Sequence, residues 1–210
     1  MSISTYAELQ TAVASWTHRA GLTSFVADFI QQGESLLNRK LRTVDMENAA
    51  TLTASTLTRF LALPTGFVEM ESLWRDDPRE EIIYLPPSQM ASAIVTSSNL
   101  PKYFTIGSHI EFDRIPDSAY SLECRYFKRY NLASDLTNTL LTNHPEIYLH
   151  AALASASVYT ASPMLATFRG LVEDEIIELN RSEARKRGNG LAILRTELIT
   201  DSFDIIRGDS

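Results

Sequence analysis

Asn143-His144-Pro145-Glu146-Ile147-Tyr148-Leu149-His150-Ala151-Ala152-Leu153-Ala154-Ser155-Ala156 is the stretch on which the fold turns. Pro145 falls in the first turn of a helix, where its missing N–H costs nothing because that donor has no intrahelical partner. The small residues that follow, Ala151, Ala152, Ala154, Ser155, Ala156 and Ser157, predict a surface that a second helix approaches at short interaxial distance. Helix-packing roles therefore go to Ala151, Ala152 and Ser155. Ser162-Pro163 opens a further helix to about Arg187, with Leu165, Phe168, Val172, Ile176 and Leu179 on one face at spacings of 3, 4, 4 and 3. Arg185-Lys186-Arg187-Gly188 predicts its end: cations complement the dipole and glycine suits the left-handed position beyond the last turn. Gly188-Asn189-Gly190 then reads as a flexible joint before an apolar, partly β-branched tail, Leu191 to Ile206.

Upstream, Thr5 and Glu8 have the spacing of a capping box, and Tyr6, Leu9, Val13 and Trp16 recur at helical spacing until Gly21 breaks the pattern. Thr23 or Ser24 caps a second helix carrying Phe25, Val26, Phe29, Ile30, Leu36, Leu37 and Leu41 on a broad stripe, with Arg39, Lys40 and Arg42 at its end. From about Met46 the period changes. Ala50–Thr53 and Arg59–Leu63 read as a strand pair around a polar turn, followed by alternating Val68–Trp74, a turn at Asp76–Arg79, and a strand from Glu81 to Leu85. Pro86-Pro87-Ser88 introduces a short helix ending near Val95. Tyr103–Ile106, His109–Asp113 and Ser121–Tyr130 complete an antiparallel sheet, with Gly107-Ser108 as a hairpin turn. The fold class is α+β and mainly helical. N- and C-terminal helices (1–45 and 131–188) form a bundle, an antiparallel β-sheet domain (46–130) is inserted between them, and an extended tail (189–210) follows.

Composition narrows the function. The chain of 210 residues is 44% hydrophobic, enough for a sizeable core, yet has no run of about 18 apolar residues, so no membrane partner is expected. The start, Met1-Ser2-Ile3-Ser4-Thr5, has neither the basic opening nor the apolar run of a secretion signal. A single cysteine, Cys124, excludes an internal disulfide framework and fits a reducing cytoplasm. The formal charge of −7 argues against general nucleic-acid binding, which needs an excess of Lys and Arg to neutralise phosphates. An acidic surface would suit a passage through which DNA slides without adhering.

The chemistry-bearing residues form no constellation. His18, His109, His144 and His150 lack the i, i+3 or i, i+4 spacing that places two metal ligands on one helix face. Glu173-Asp174-Glu175 with Glu178 reads as a solvated helix face, and Asp76-Asp77 with Glu80-Glu81 as turn chemistry. Cys124 alternates with Leu122 and Tyr126, which points all three inward and leaves the thiol inert. No Gly-rich phosphate loop or Gly-x-Ser-x-Gly elbow is present. No catalytic residue, cofactor or metal is expected.

Three segments carry a resemblance. Tyr6-Ala7-Glu8-Leu9 with Ile30-x5-Leu36-Leu37-Asn38-Arg39-x-Leu41 resembles the opening helices of phage head-to-tail adaptor (connector) proteins of short-tailed phages. Leu63-Pro64-Thr65-Gly66-Phe67-Val68-Glu69 resembles their Leu-Pro-x-Asp-Phe turn into a strand, with Gly66 where an acidic residue is commoner. His144-Pro145-Glu146-Ile147-Tyr148-Leu149 resembles their His-Pro-Asp-x-Tyr-Leu segment, with Glu146 for the aspartate.

The resemblance implies a structural virion protein at the head-tail interface, assembled in the host cytoplasm. It implies a homo-oligomeric ring, twelve copies as a rule, below a portal protein. Such a ring extends the DNA channel without sequence-specific binding and docks a tail nozzle or fibre protein. In that setting Leu191, Ile193, Leu194, Leu198, Ile199, Phe203, Ile205 and Ile206 of the tail are candidates for portal binding. Strand addition to a partner's sheet edge and a strand folded back on the chain's own sheet both stay open for that tail. Glu173, Asp174 and Glu178 are candidates to face the channel. The competing readings are a metal-dependent hydrolase on the acidic helix and a small monomeric phage- or bacterium-encoded binding module without a portal partner.

Overall fold

A computed structural model describes residues 3–191 of the chain. The first helix, α1 (Tyr6–Thr17), starts with the expected capping box: Glu8 N donates to Thr5 Oγ1 at 3.3 Å and Thr5 N to the Glu8 carboxylate at 3.1 Å. It ends earlier than Gly21. His18 takes the left-handed position at φ 49°, and Gly21 lies inside a 3-10 turn, Ala20–Phe25. That turn also carries Thr23 and Ser24, so neither is the cap of α2 (Val26–Lys40). Instead the Val26 N–H bonds to the Thr23 carbonyl, an i→i+3 bond that satisfies a first-turn donor without a side-chain cap.

Strand β1 (Glu47–Thr53) begins a segment that differs from the expected single antiparallel sheet. The described residues form two four-stranded sheets. In the first, β1 pairs along its length with β8 (Ser121–Lys128), which pairs in turn with β3 (Phe67–Arg75) and β3 with β4 (Glu80–Glu81). In the second, β2 (Phe60–Leu61) pairs with β7 (Ile110–Phe112), β7 with β6 (Tyr103–Ile106), and β6 with β5 (Ile83–Tyr84) in parallel. Ala50–Thr53 and Arg59–Leu63 are thus not partners. Alternation reports which face a residue takes, and carries no information on which strand lies alongside. The expected strand Glu81–Leu85 is also divided. Ile82 turns inward, its N–H still bonded to Leu73 O, and beyond it Ile83 N bonds to Lys102 O in the other sheet. Leu73, Leu122 and Cys124 from one sheet meet Phe104, Ile110 and Phe112 from the other in one apolar cluster.

The short α3 (Pro87–Ala93) lies between β5 and β6, and the short α4 (Leu132–Asp135) and α5 (Thr139–Asn143) follow β8. Pro145 is the first residue of α6 (Pro145–Tyr159), as expected. The last helix, α7, begins at Leu165, after a turn with Ala161 at φ 50°. It passes through Gly188-Asn189-Gly190 to Leu191, so that segment is helical where a joint was expected. The tail residues Ile193, Leu194, Leu198, Ile199, Phe203, Ile205 and Ile206 lie outside the described residues.

Helices α1, α2, α6 and α7 share a second apolar cluster that includes Leu9, Val13, Ile30, Leu37, Ile147, Val172, Ile176 and Leu179. Its tightest seam is between α2 and α6. A Cβ placed on Gly33 would fall 2.9 Å from the Ala151 carbonyl carbon and 3.0 Å from Ala151 Cβ. Ala151 and Ala152 are both buried there, and any side chain larger than hydrogen at Gly33 would push the two backbones apart.

Polar side chains fix where the chain crosses between the two clusters. Asn38 Nδ2 donates to Tyr130 O at 3.0 Å while Tyr130 N donates to Asn38 Oδ1 at 2.8 Å. One turn away, the buried Glu34 accepts from Leu132 N at 2.8 Å and from the Tyr148 hydroxyl at 3.1 Å. The Tyr148 hydroxyl in turn accepts from Asn138 Nδ2 at 2.8 Å. At the other crossing, Val44 N donates to the buried Glu183 carboxylate at 2.7 Å, and Thr43 and Tyr130 hydroxyls lie 2.7 Å apart. Burial pushes the Glu34 carboxyl above the usual carboxylate range, partly offset by its hydrogen bonds.

This packing can be tested at two positions. Gly33→Ala should lower stability by about 1–3 kcal/mol through overpacking against Ala151. Gly170→Ala, on α7 with no atom near its Cβ position, should raise it by roughly 0.5–1 kcal/mol. Urea titrations compare the two directly, and equal behaviour would refute the close approach. For Glu34, the raised folded-state value means that its contribution is fully present below the unfolded carboxyl pKa and lost as pH rises through the folded one. Glu34→Gln keeps an acceptor for Leu132 and Tyr148, and should flatten the stability loss on going from pH 4 towards neutrality. Glu34→Ala strands both donors and should cost about 1–3 kcal/mol across that range. Stability curves measured at several pH values distinguish these outcomes.

Candidate functional site

The residues with chemical potential are dispersed, and the surfaces around α6 and α7 concentrate the rest. Cys124 is fully buried, with its Sγ 3.3 Å from Met70 Sδ, and burial pushes its thiol up to about 11, so it stays protonated and a poor nucleophile at neutral pH. Leu122 and Tyr126 are buried beside it, as their alternation implies. Among the described residues, no group of three or more His, Cys, Asp or Glu side chains is arranged to hold a metal ion, and no helix is long and apolar enough to cross a membrane.

One pairing that spacing does not reveal joins α6 to α7. His150 Nδ1 lies 2.7 Å from Glu175 Oε1, and the imidazole stacks against Phe168 with ring centroids 6.3 Å apart. Burial raises the Glu175 carboxyl above its ordinary range, with the His150 hydrogen bond opposing that rise. Its second oxygen, Oε2, is enclosed and has no hydrogen-bond partner among the described residues. Glu175 borders a cleft of about 220 Å³ whose walls include His144, Glu146, Glu178, Leu179 and Ser182. His144 and Glu146 sit 3.5 Å apart at its rim.

A cleft of about 520 Å³ is lined by α2, α6 and α7, and on α7 it takes Arg169 and Glu173, which lie across the buried Val172 and Ile176 face from Glu175 and Glu178. Its floor is made of Ala151, Ala154 and Ser155, and Arg39, Lys40, Arg169 and Glu173 stand on its walls. Ser155 Oγ donates back to Ala151 O at 3.1 Å, so the hydroxyl is satisfied within its own helix and leaves the floor smooth. Lys40 and Glu173 form an exposed ion pair at 3.2 Å, whereas Arg39 and Arg169 point their charge at solvent without a carboxylate partner among the described residues.

Of the acidic run expected as a solvated face, Glu173, Asp174 and Glu178 are exposed and do not act together, whereas Glu175 is half-buried against His150. Glu173 belongs to the basic cleft through Lys40, Glu178 borders the acidic one, and Asp174 lies away from the core face of Val172, Ile176 and Leu179. Ala151 and Ala152 are buried against α2, and Ser155 is half-buried.

Reasoning from sequence assigned no such role to Glu34, Asn38 and Glu183, which fix the crossings described above, nor to Asn180, whose Oδ1 accepts from Arg42 N at 3.4 Å. A signal exists for Glu34. It occupies a position on the stripe Ile30, Leu37 and Leu41 at spacings of 4, 3 and 4, where a carboxylate is out of place unless it is paired. Glu183 continues the stripe of Ile176 and Leu179 in the same way, and Asn180 reaches Lys40 O at 3.0 Å.

No curated protein gives a match to this chain. The SU10 adaptor protein family does, over residues 4–194. That span takes in the helices, both sheets and the two clefts, and the chain accordingly belongs to the SU10 adaptor protein family of phage adaptors.

Proposed function

We propose that this protein is a head-to-tail adaptor whose copies form a ring, usually of twelve, beneath a phage portal and extend the DNA channel toward the tail. The observation that carries this reading is α7. It spans 27 residues within the matched family region, buries one face in the helical core, and leaves the exposed Leu171 and Ile177 on its other sides. A helix of that length, roughly 40 Å at 1.5 Å per residue, with apolar residues outside its own core fits a role in contacts between copies.

In this proposal residues 1–45 and 131–188 form the ring body, 46–130 form the unit that docks nozzle or fibre proteins, and 189–210 reach the portal. Strand addition by Leu191, Ile193, Leu194, Leu198, Ile199, Phe203, Ile205 and Ile206 would supply the portal contact. Of Glu173, Asp174 and Glu178, Asp174 is best placed for the channel because Glu173 is engaged by Lys40 and Glu178 borders a cleft. A net charge of −7 per copy would keep DNA from adhering during passage. The role is structural, in the virion.

The test is to mix purified protein with the portal protein of the same phage. Light scattering should report the added mass of a ring, and negative-stain images should show a second ring stacked on the first. A protein that stays monomeric beside the portal across a range of salt would favour the independent binding module. Truncation after Gly190 should leave a folded chain that no longer attaches, and retained attachment would remove the portal-binding role from the tail.

A further inference from the structure

The two clefts beside α7 differ in charge and lie on opposite flanks of the α6–α7 pair. On one flank Arg39 and Arg169 remain as cations once Lys40 and Glu173 neutralise each other. On the other, Glu146, Glu175 and Glu178 border the smaller cleft beside His144 and His150, and Glu175 Oε2 lacks a donor. Each flank also carries an exposed apolar residue. Val158 borders the basic cleft, and Leu171 lies on α7 one turn before Glu175 and two before Glu178, on the acidic side.

We infer that the occupant of each cleft is a second copy of this chain: the basic α2–α7 flank of one copy meets the acidic α6–α7 flank of the next. This deepens the ring reading above and rests on it. Opposite charges on opposite flanks cannot satisfy each other in a two-fold dimer, where a patch meets its own copy and like charges would face. They can in a head-to-tail contact, which closes into a ring when the rotation between copies divides a full turn. Charge fixes the register of such a contact more than its strength, and the exposed Val158 and Leu171 provide apolar surface to cover. The clefts are offset along α7 by about 10 Å at 1.5 Å per residue, so the helix pair tilts against the ring axis to bring them level. Because the charges at both flanks are exposed, assembly weakens as salt shortens the screening length below about 8 Å.

The experiment compares four proteins on the portal of the same phage, read by light scattering and negative stain: wild type, Arg39→Glu/Arg169→Glu, Glu146→Arg/Glu178→Arg, and the chain with all four changes. Each double variant alone should lose ring formation by about tenfold or more, because both its flanks then carry one sign. Mixing the two doubles should restore rings of alternating copies, which close in an even-numbered ring such as a twelve. The fourfold variant should assemble by itself. Rings from wild type together with undiminished rings from either double variant would overturn the flank assignment and leave the adaptor reading standing. The flank assignment falls equally if neither the mixture nor the fourfold variant recovers. Absence of rings from wild type would remove both.

Discussion

Everything in this molecule depends on two places where the chain passes between a helical cluster and a sheet cluster. Each passage is held by side chains that reach from a helix to a backbone amide. Asn38 exchanges two hydrogen bonds with Tyr130, Glu34 takes the Leu132 N–H, and Glu183 takes that of Val44. Buried backbone groups outside regular structure need such partners, since an unpaired N–H forfeits its hydration without return. The carboxylates are tolerated because each is multiply bonded. For Glu183, burial works against ionisation, and hydrogen bonds from Lys186 and Val44 nevertheless hold its carboxyl below the ordinary range.

These clamps set the relation of helices to strands through α2 and α7. Helix α2 supplies Glu34 and Asn38 on one side and, through Gly33, the close seam with α6 on another. Helix α7 supplies Asn180 and Glu183, and Arg187 near its end pairs with Glu47 of β1 at 2.8 Å while lying over the Phe127 ring. Displacing either helix would therefore disturb the sheet attachments and the two clefts together. The helices are thus tied to the strands by short hydrogen bonds, those of Glu34, Glu183 and Arg187 charge-assisted, and not by a loose linker.

Much of the secondary structure was legible in local sequence. The Thr5–Glu8 capping box, the Pro145 start of α6, the core face of α7 and the inward run of Leu122, Cys124 and Tyr126 all follow from rules acting within one or two turns. Expectation and structure part where partners lie far along the chain. The Ala50–Thr53 segment finds β8 about seventy residues later, β5 joins β6 in parallel, and Ile82 splits one expected strand between two sheets. Gly188-Asn189-Gly190 remains helical although two glycines disfavour it, an instance of propensity as a weak prior over so short a stretch.

The sequence by itself determined most element types, the apolar faces and the family, because periodicity, capping and short motifs are written in neighbouring residues. Only the tertiary structure decided which strands pair, that His150 meets Glu175, that Gly33 is seated on Ala151, and that basic and acidic side chains separate onto opposite flanks of one helix pair. His150 and Glu175 are 25 positions apart, and Gly33 and Ala151 more than 100. Those relations arise from how the whole chain closes over its two apolar clusters, and no local pattern records that closure.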